Sequence, residues 1–111
     1  MDHYIPDSGD IVWIDFDLSG GKEIKKRRPA LVISKYKVNL STQFAVVCPI
    51  TSTIKSIPTR VTLSKELRTK GQVIVSQLKS LDYTYRQLTY IEKISPREWA
   101  IVKQIVKYIF E

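Results

Sequence analysis

One cysteine and one histidine are all that this chain holds of the side chains most used to bind zinc or to pair as nucleophile and base. With Cys48 alone, no disulfide can close within the chain. With His3 alone, a catalytic histidine pair is excluded, and so is a His/Cys zinc cluster. His3 also lies near the N-terminus, where chains are often loosely held. Cys48 sits inside the apolar run FAVVCPI and reads as a small core side chain. Long hydrophobic runs are missing too, and none approaches the roughly 20 residues that span a bilayer. The start of the chain, MDHYIPDSGD, is acidic and has no signal-peptide pattern, so a soluble cytoplasmic protein is the expectation. Residues 1–19 contain five Asp and no Lys or Arg.

What is present is the size of one domain, residues 1–111, which at this length buries roughly two-thirds of its unfolded surface. A composition of 43% hydrophobic and 26% charged residues is that of a globular chain and argues against disorder. The net charge is +7 and is unevenly placed: residues 20–37 carry seven Lys or Arg against one Glu. A concentrated basic patch on a small domain favours a polyanionic partner, nucleic acid first. Its centre is Gly20–Val32, GGKEIKKRRPALV, where two glycines precede Lys22, Glu23, Lys25, Lys26, Arg27 and Arg28, and Pro29 leads into an apolar run. A solvated loop is the plain reading of a charge run. Five cations around one carboxylate instead form an anion-binding surface with an acid or base inside it, and that reading is preferred.

Along the chain, Asp10–Phe16 (DIVWIDF) reads as a strand, apolar on both faces and so central. Arg28–Ser34 is a second strand, with Pro29 at its start or edge. Lys35–Thr42 is polar, with room for one helical turn. Gln43–Ile50 is a third strand and Thr59–Leu63 a short one. Gln72–Leu78 alternates as a strand, extended through Lys79-Ser80-Leu81. Asp82 can cap a short helical turn through Arg86, and Thr89–Ile94 is a last short strand. Ser95–Phe110 is a helix opened by a capping box, Ser95-Pro96-Arg97-Glu98, with Trp99, Val102, Ile105, Val106 and Ile109 on one face. Short strands plus a terminal helix predict a small, strongly curved sheet or partly closed barrel.

With no metal-ligand cluster, no nucleophilic cysteine and no histidine pair, few reactions remain; one is attack of an RNA 2′-hydroxyl on its adjacent phosphate. The substrate brings the nucleophile, so the protein must hold the phosphate, stabilise the phosphorane and move protons. Arg28 suits charge stabilisation through its bidentate guanidinium. Thr51 can donate to a phosphate oxygen or hold the 2′-hydroxyl, and Glu23 is the candidate general base. Lys22, Lys25, Lys26 and Arg27 would track the RNA backbone. In Thr51-Ser52-Thr53 and nearby Lys55, phosphate binding and a local hydroxyl turn weigh evenly. Tyr83, Tyr85 and Tyr90 could stack bases, although packing is the default role of each.

Gly9-Asp10-Ile11-Val12-Trp13, Gly21-x-Glu23 and Arg28-Pro29-Ala30-Leu31-Val32 resemble blocks of the MazF/PemK family of toxin endoribonucleases. Pro49-Ile50-Thr51 and Gln77-Leu78-Lys79-Ser80 resemble later blocks in the same order. The resemblance implies a mainly β fold, an SH3-like barrel of the plasmid-maintenance toxin type (CcdB/MazF/PemK-like) with a C-terminal α-helix. It further implies a homodimeric toxin that needs no metal or other cofactor. Such a toxin cuts single-stranded messenger or ribosomal RNA at short sequences, leaving 2′,3′-cyclic phosphate and 5′-hydroxyl ends. The implied partner is a cognate antitoxin whose acidic flexible C-terminal tail covers the RNA site. The family's key Arg, Thr and loop Glu fall on Arg28, Thr51 and Glu23. RNA contacts would come from Lys22, Lys25, Lys26, Arg27, Ser52, Lys55, Gln77 and Lys79. Relatives often carry Gln after the loop Glu and Gly shortly before Arg-Pro, where this chain has Ile24 and Lys26. Two other readings compete: a CcdB-like toxin that poisons DNA gyrase, and a non-catalytic nucleic-acid-binding barrel.

Overall fold

The computed structural model describes residues 3–16 and 27–111. Strands β1 (Asp10–Asp15) and β2 (Arg27–Val32) are followed by helix α1 (Tyr36–Thr42) and strand β3 (Phe44–Thr51). Then come β4 (Arg60–Thr62), β5 (Gln72–Ile74), β6 (Lys79–Asp82), β7 (Thr89–Lys93) and helix α2 (Pro96–Phe110). All strand pairings are antiparallel, in the order β4-β5-β3-β2-β1-β7, with β6 also paired to β3. The fold is therefore a mainly β antiparallel sheet with a C-terminal helix, as the sequence predicts.

Core lies on both faces of this sheet, which is why β1 reads as apolar throughout. The two-residue period of a strand sends alternate side chains to opposite faces, and residues paired across strands share a face. Ile11, Leu31 and Cys48 are opposed in register and pack with Val61, Val73, Val75 and Val102 of α2. Val12, Ala30, Val32 and Val47 point the other way and pack with Ala45, Leu81 and Tyr83. A one-residue slip in β1 or β2 would exchange the two sets, so the register is tightly specified. In α2, Val102 is buried and Trp99, Ile105 and Val106 are partly so against the first cluster, while Ile109 is exposed.

Several elements depart from the sequence expectation. Gln72–Leu78 is not one strand: β5 ends at Ile74, and Val75–Gln77 form a turn of 3₁₀-helix before β6. The step has a cause in β3, whose eight residues pair β6 along Phe44–Val47 and β5 along Ile50–Thr51. The 3₁₀ turn carries the chain from one partner position to the next across the gap at Cys48-Pro49. The segment after β2 forms two helical turns rather than one, ending at Gln43 with φ 63°. It is anchored by Asn39, fully buried, whose amide donates to Pro6 O and Ser34 O and whose oxygen accepts from the Ser34 hydroxyl. The capping box does not close on the backbone of α2: no side chain caps the helix start, and the Ser95 hydroxyl donates to the Glu98 carboxylate. Asp82 does cap the turn Tyr83–Tyr85, accepting from Thr84 N at 2.9 Å.

Candidate functional site

The site begins where β2 and β3 part. Their ladder ends at Ala30 opposite Pro49. Pro29 has no N–H with which to extend it. Continuing the same register for two residues would set Arg28 opposite Thr51. The strands have separated there, leaving a cavity of about 360 Å³ lined by Arg28, Pro29, Ile50, Thr51, Ser52, Thr53 and Lys70. Arg28 and Thr51, the guanidinium and hydroxyl singled out in the sequence, thus share one concave surface, with Ser52 beside them. Pro29 keeps a ladder partner on one side only, opposite Trp13 of β1. It lies two residues inside β2, an interior strand, rather than at a strand start or edge, and is tolerated because the β3 ladder has already ended.

Thr51 is held from several directions. Its Oγ1 accepts from Thr53 N at 3.1 Å, leaving the hydroxyl proton to donate elsewhere. Behind it stands Gly71, with φ +120°, where an added Cβ would lie 2.1 Å from Thr51 O. Only glycine fits there. The next residue, Gln72, is buried, and opposes Thr51 in the β3–β5 ladder. Its side-chain amide accepts from Lys55 N at 3.1 Å and donates to Lys55 O at 3.2 Å and to Thr62 Oγ1 at 3.1 Å. Arg60 donates to Thr53 O at 2.9 Å and to Gln72 Oε1 at 3.3 Å. The loop after Thr51 is therefore tied to β4 and β5, and Lys55 is fixed through its backbone rather than its amine.

The remaining expected contacts lie elsewhere. Arg27 donates to Gln87 O at 2.7 Å and to Thr89 Oγ1 at 2.8 Å, and approaches Asp15 at 3.7 Å. Asp15 is buried while Arg27 is partly exposed, and the 3.7 Å separation is too long for a hydrogen bond, so the two bonds to Gln87 and Thr89 fix the guanidinium. Gln77 is exposed on the 3₁₀ turn, and the Lys79 amine lies 5.3 Å over the Phe16 ring. Neither lines the Arg28–Thr51 cavity. Tyr83 is buried and its hydroxyl donates to Asn39 O at 2.8 Å, which removes it as a stacking surface; Tyr85 and Tyr90 are exposed. Lys22, Glu23, Lys25 and Lys26 lie outside the described residues. Burial pushes the Cys48 thiol up to about 12, so it stays protonated at neutral pH.

The sequence reading missed Lys70 and Gly71. Lys70 lines the cavity from the basic segment between β4 and β5. A second cavity adjoins the first, sharing Pro29 and Lys70 with it, and is otherwise lined by Trp13, Arg68, Thr69 and Ile91.

Residues 7–110 match the family described as PemK-like, MazF-like toxin of type II toxin-antitoxin system. The endoribonuclease toxin MazF of Escherichia coli (strain K12) is 34% identical over 103 residues, covering 93% of this chain and 92% of that protein. Among solved structures, MazF of Deinococcus radiodurans is similar at TM-score 0.87 and 33% identity, covering 97% of this chain and 98% of that one. A MazE-MazF structure from the same organism reaches TM-score 0.91 at 33% identity, with 97% of each chain covered.

Proposed function

The chain belongs to the PemK-like, MazF-like toxin family of type II toxin–antitoxin systems, and from that premise we propose that it is a metal-independent endoribonuclease cutting single-stranded RNA. The observation that carries the reading is the meeting of Arg28 and Thr51 on one cavity, with Ser52 and Lys70 at its margin. In this mechanism the RNA phosphate lies between guanidinium and hydroxyl. Glu23 takes the proton from the 2′-hydroxyl, and the 2′-oxygen attacks phosphorus. Arg28 donates two hydrogen bonds to the phosphorane, whose charge exceeds that of the ground state, so the stabilisation is greatest where it lowers the barrier. Thr51 donates its free hydroxyl proton to a phosphate oxygen. The bond from phosphorus to the 5′-oxygen breaks, and that oxygen takes up a proton. The products are a 2′,3′-cyclic phosphate and a 5′-hydroxyl.

On the same premise the active species is a homodimer acting on transcripts in the cytoplasm. Its sheet then forms a closed SH3-like barrel. Its antitoxin lays an acidic tail over the basic residues around Arg28. The pairing of MazE with MazF in a Deinococcus radiodurans crystal structure supports such a partner.

The experiment is incubation of the pure protein with end-labelled RNA in excess chelator, followed by analysis of the cut ends. Cleavage to cyclic-phosphate and 5′-hydroxyl ends is expected. A requirement for magnesium, or 3′-hydroxyl ends, would overturn the mechanism.

A further inference from the structure

Trp13 is out of place for its strand. Every other residue of β1 is buried, yet Trp13 is 41% exposed on an interior strand. It opens onto the second cavity, about 370 Å³, within the range of small-ligand sites at roughly 300–1,000 Å³. The floor is apolar: Trp13, Pro29 across the ladder, and Ile91. Ile91 is the extra residue of a β-bulge, since Ile11 opposes Glu92 while Val12 opposes Tyr90. Bulges re-aim side chains, and this one sits at the cavity.

The rim is cationic and is built rather than incidental. Arg68, Thr69 and Lys70 belong to a loop fastened to β7 by Glu92. That carboxylate accepts from Arg68 N at 3.1 Å, from Thr69 N at 2.7 Å and from the Thr69 hydroxyl at 2.7 Å. Its charge is thereby occupied inside the loop. The Arg68 side chain is 76% exposed and donates to Ile91 O at 2.6 Å, which leaves other guanidinium donors facing outward.

We propose that this second cavity is a nucleobase subsite, in which a base of single-stranded RNA stacks on Trp13 beside the phosphate held at Arg28 and Thr51. The inference rests on the ribonuclease reading above and adds a recognition element to it. The Lys70 amine donates to Lys65 O at 2.7 Å and keeps two further N–H donors. Lys70 and Pro29 line both cavities, so the base site and the phosphate site share a wall. That is the arrangement a nucleotide needs, with its base and phosphate on one short chain. Stacking on an aromatic face accepts any base, and Arg68 at the rim supplies the hydrogen-bond donors that can distinguish them.

The test uses RNA made uncleavable by a 2′-deoxy substitution at the cut position, with an abasic site walked through the neighbouring positions. In the wild type, one abasic position is expected to weaken binding by roughly 5- to 150-fold, the range of one base–aromatic stack. Trp13→Ala should cost a similar factor on intact RNA and nothing further on that abasic RNA. Trp13→Phe should recover most of the affinity. If the alanine variant does not fold, Trp13→Leu replaces it, keeping an apolar side chain without a π face. Equal loss on intact and abasic RNA at every position overturns the subsite, as does unchanged affinity in the alanine or leucine variant. Quenching of Trp13 fluorescence by an acidic peptide but not by RNA also overturns it and makes the cavity a peptide site. Cleavage by the wild type is scored separately. An enzyme that cuts RNA without this Trp13 dependence loses only the subsite, whereas Trp13-dependent base binding without cutting sustains the subsite and removes the nuclease.

Discussion

Arg27 and Arg28 are adjacent, carry the same charge, and do different things. Arg27 is spent on Gln87 O and Thr89 Oγ1, holding the start of β2 to the start of β7 and the residues just before it. Arg28 faces the cavity with Thr51. Arg28→Lys keeps the charge but loses the planar fork, so it should retain most RNA affinity and lose rate. Removal of one transition-state donor costs about 2.7–4 kcal/mol, or roughly a hundred- to a thousand-fold in rate. Thr51→Ala should act in the same direction, more mildly. Single-turnover cleavage alongside binding of uncleavable RNA separates the two effects. Equal losses of affinity and rate would mean that both residues only bind. Arg28 and Thr51 were legible in the sequence because a guanidinium and a hydroxyl suit a phosphate and both fall in family-like blocks; that they line one cavity is what folding adds. Lys70 and Gly71 were not, because their link to Thr51 is made by folding, across about 20 residues of sequence. A glycine at φ +120° beside another strand's carbonyl looks, in sequence, like any turn glycine.

At the scale of elements, the loop that carries Arg68 and Lys70 depends on one carboxylate. Burial raises the Glu92 pKa, but hydrogen bonds from the Thr69 hydroxyl and from the Thr69 and Arg68 N–H groups outweigh it, and the net shift is downward from 4.5. A carboxylate depressed on folding stabilises the native state above its unfolded pKa and loses that contribution as pH falls through the folded value. The loop tether should therefore hold at neutral pH and fail only as pH falls through the folded-state value, which lies below 4.5. Urea midpoints measured from about pH 6 to pH 2 should fall more steeply for the wild type than for Glu92→Gln, which cannot titrate. Parallel curves would remove Glu92 from the acid transition. Strand content was readable from β-branched and aromatic runs, and α2 from its apolar stripe. The break between β5 and β6 was not, because the pattern QVIVSQL alternates straight through it. What breaks the strand is the change of partner position along β3, a property of the sheet rather than of the segment. The capping-box motif was present in the letters, but its side chains meet each other, Ser95 hydroxyl to Glu98 carboxylate, without a side-chain bond to the helix-start N–H groups.

For the whole molecule the governing fact is the placement of its charge. Residues 1–19 hold five Asp, while residues 20–37 hold seven cations against Glu23. Part of the acid is consumed internally: Asp10 is buried, accepts from the Tyr4 hydroxyl and meets the Lys93 amine at 2.5 Å. Exposed Arg28, Arg68 and Lys70 then line the two joined cavities with basic side chains. Such a surface should bind RNA and an acidic disordered segment through the same charges, with the segment's ordering cost offset by charge complementarity. We therefore expect the antitoxin's acidic tail to displace labelled, uncleavable RNA completely, with both affinities falling steeply as salt rises. Lys25→Ala combined with Lys26→Ala should weaken every RNA alike and flatten the logarithmic salt slope by roughly 0.7 for each phosphate no longer neutralised. The same double variant should weaken the tail as well, since both ligands answer to one patch. Titrations of RNA and tail against each variant, at several salt concentrations, test this directly. If a saturating tail left RNA binding unchanged, the two ligands would occupy separate surfaces, and the patch could not be the point at which the partner controls the enzyme.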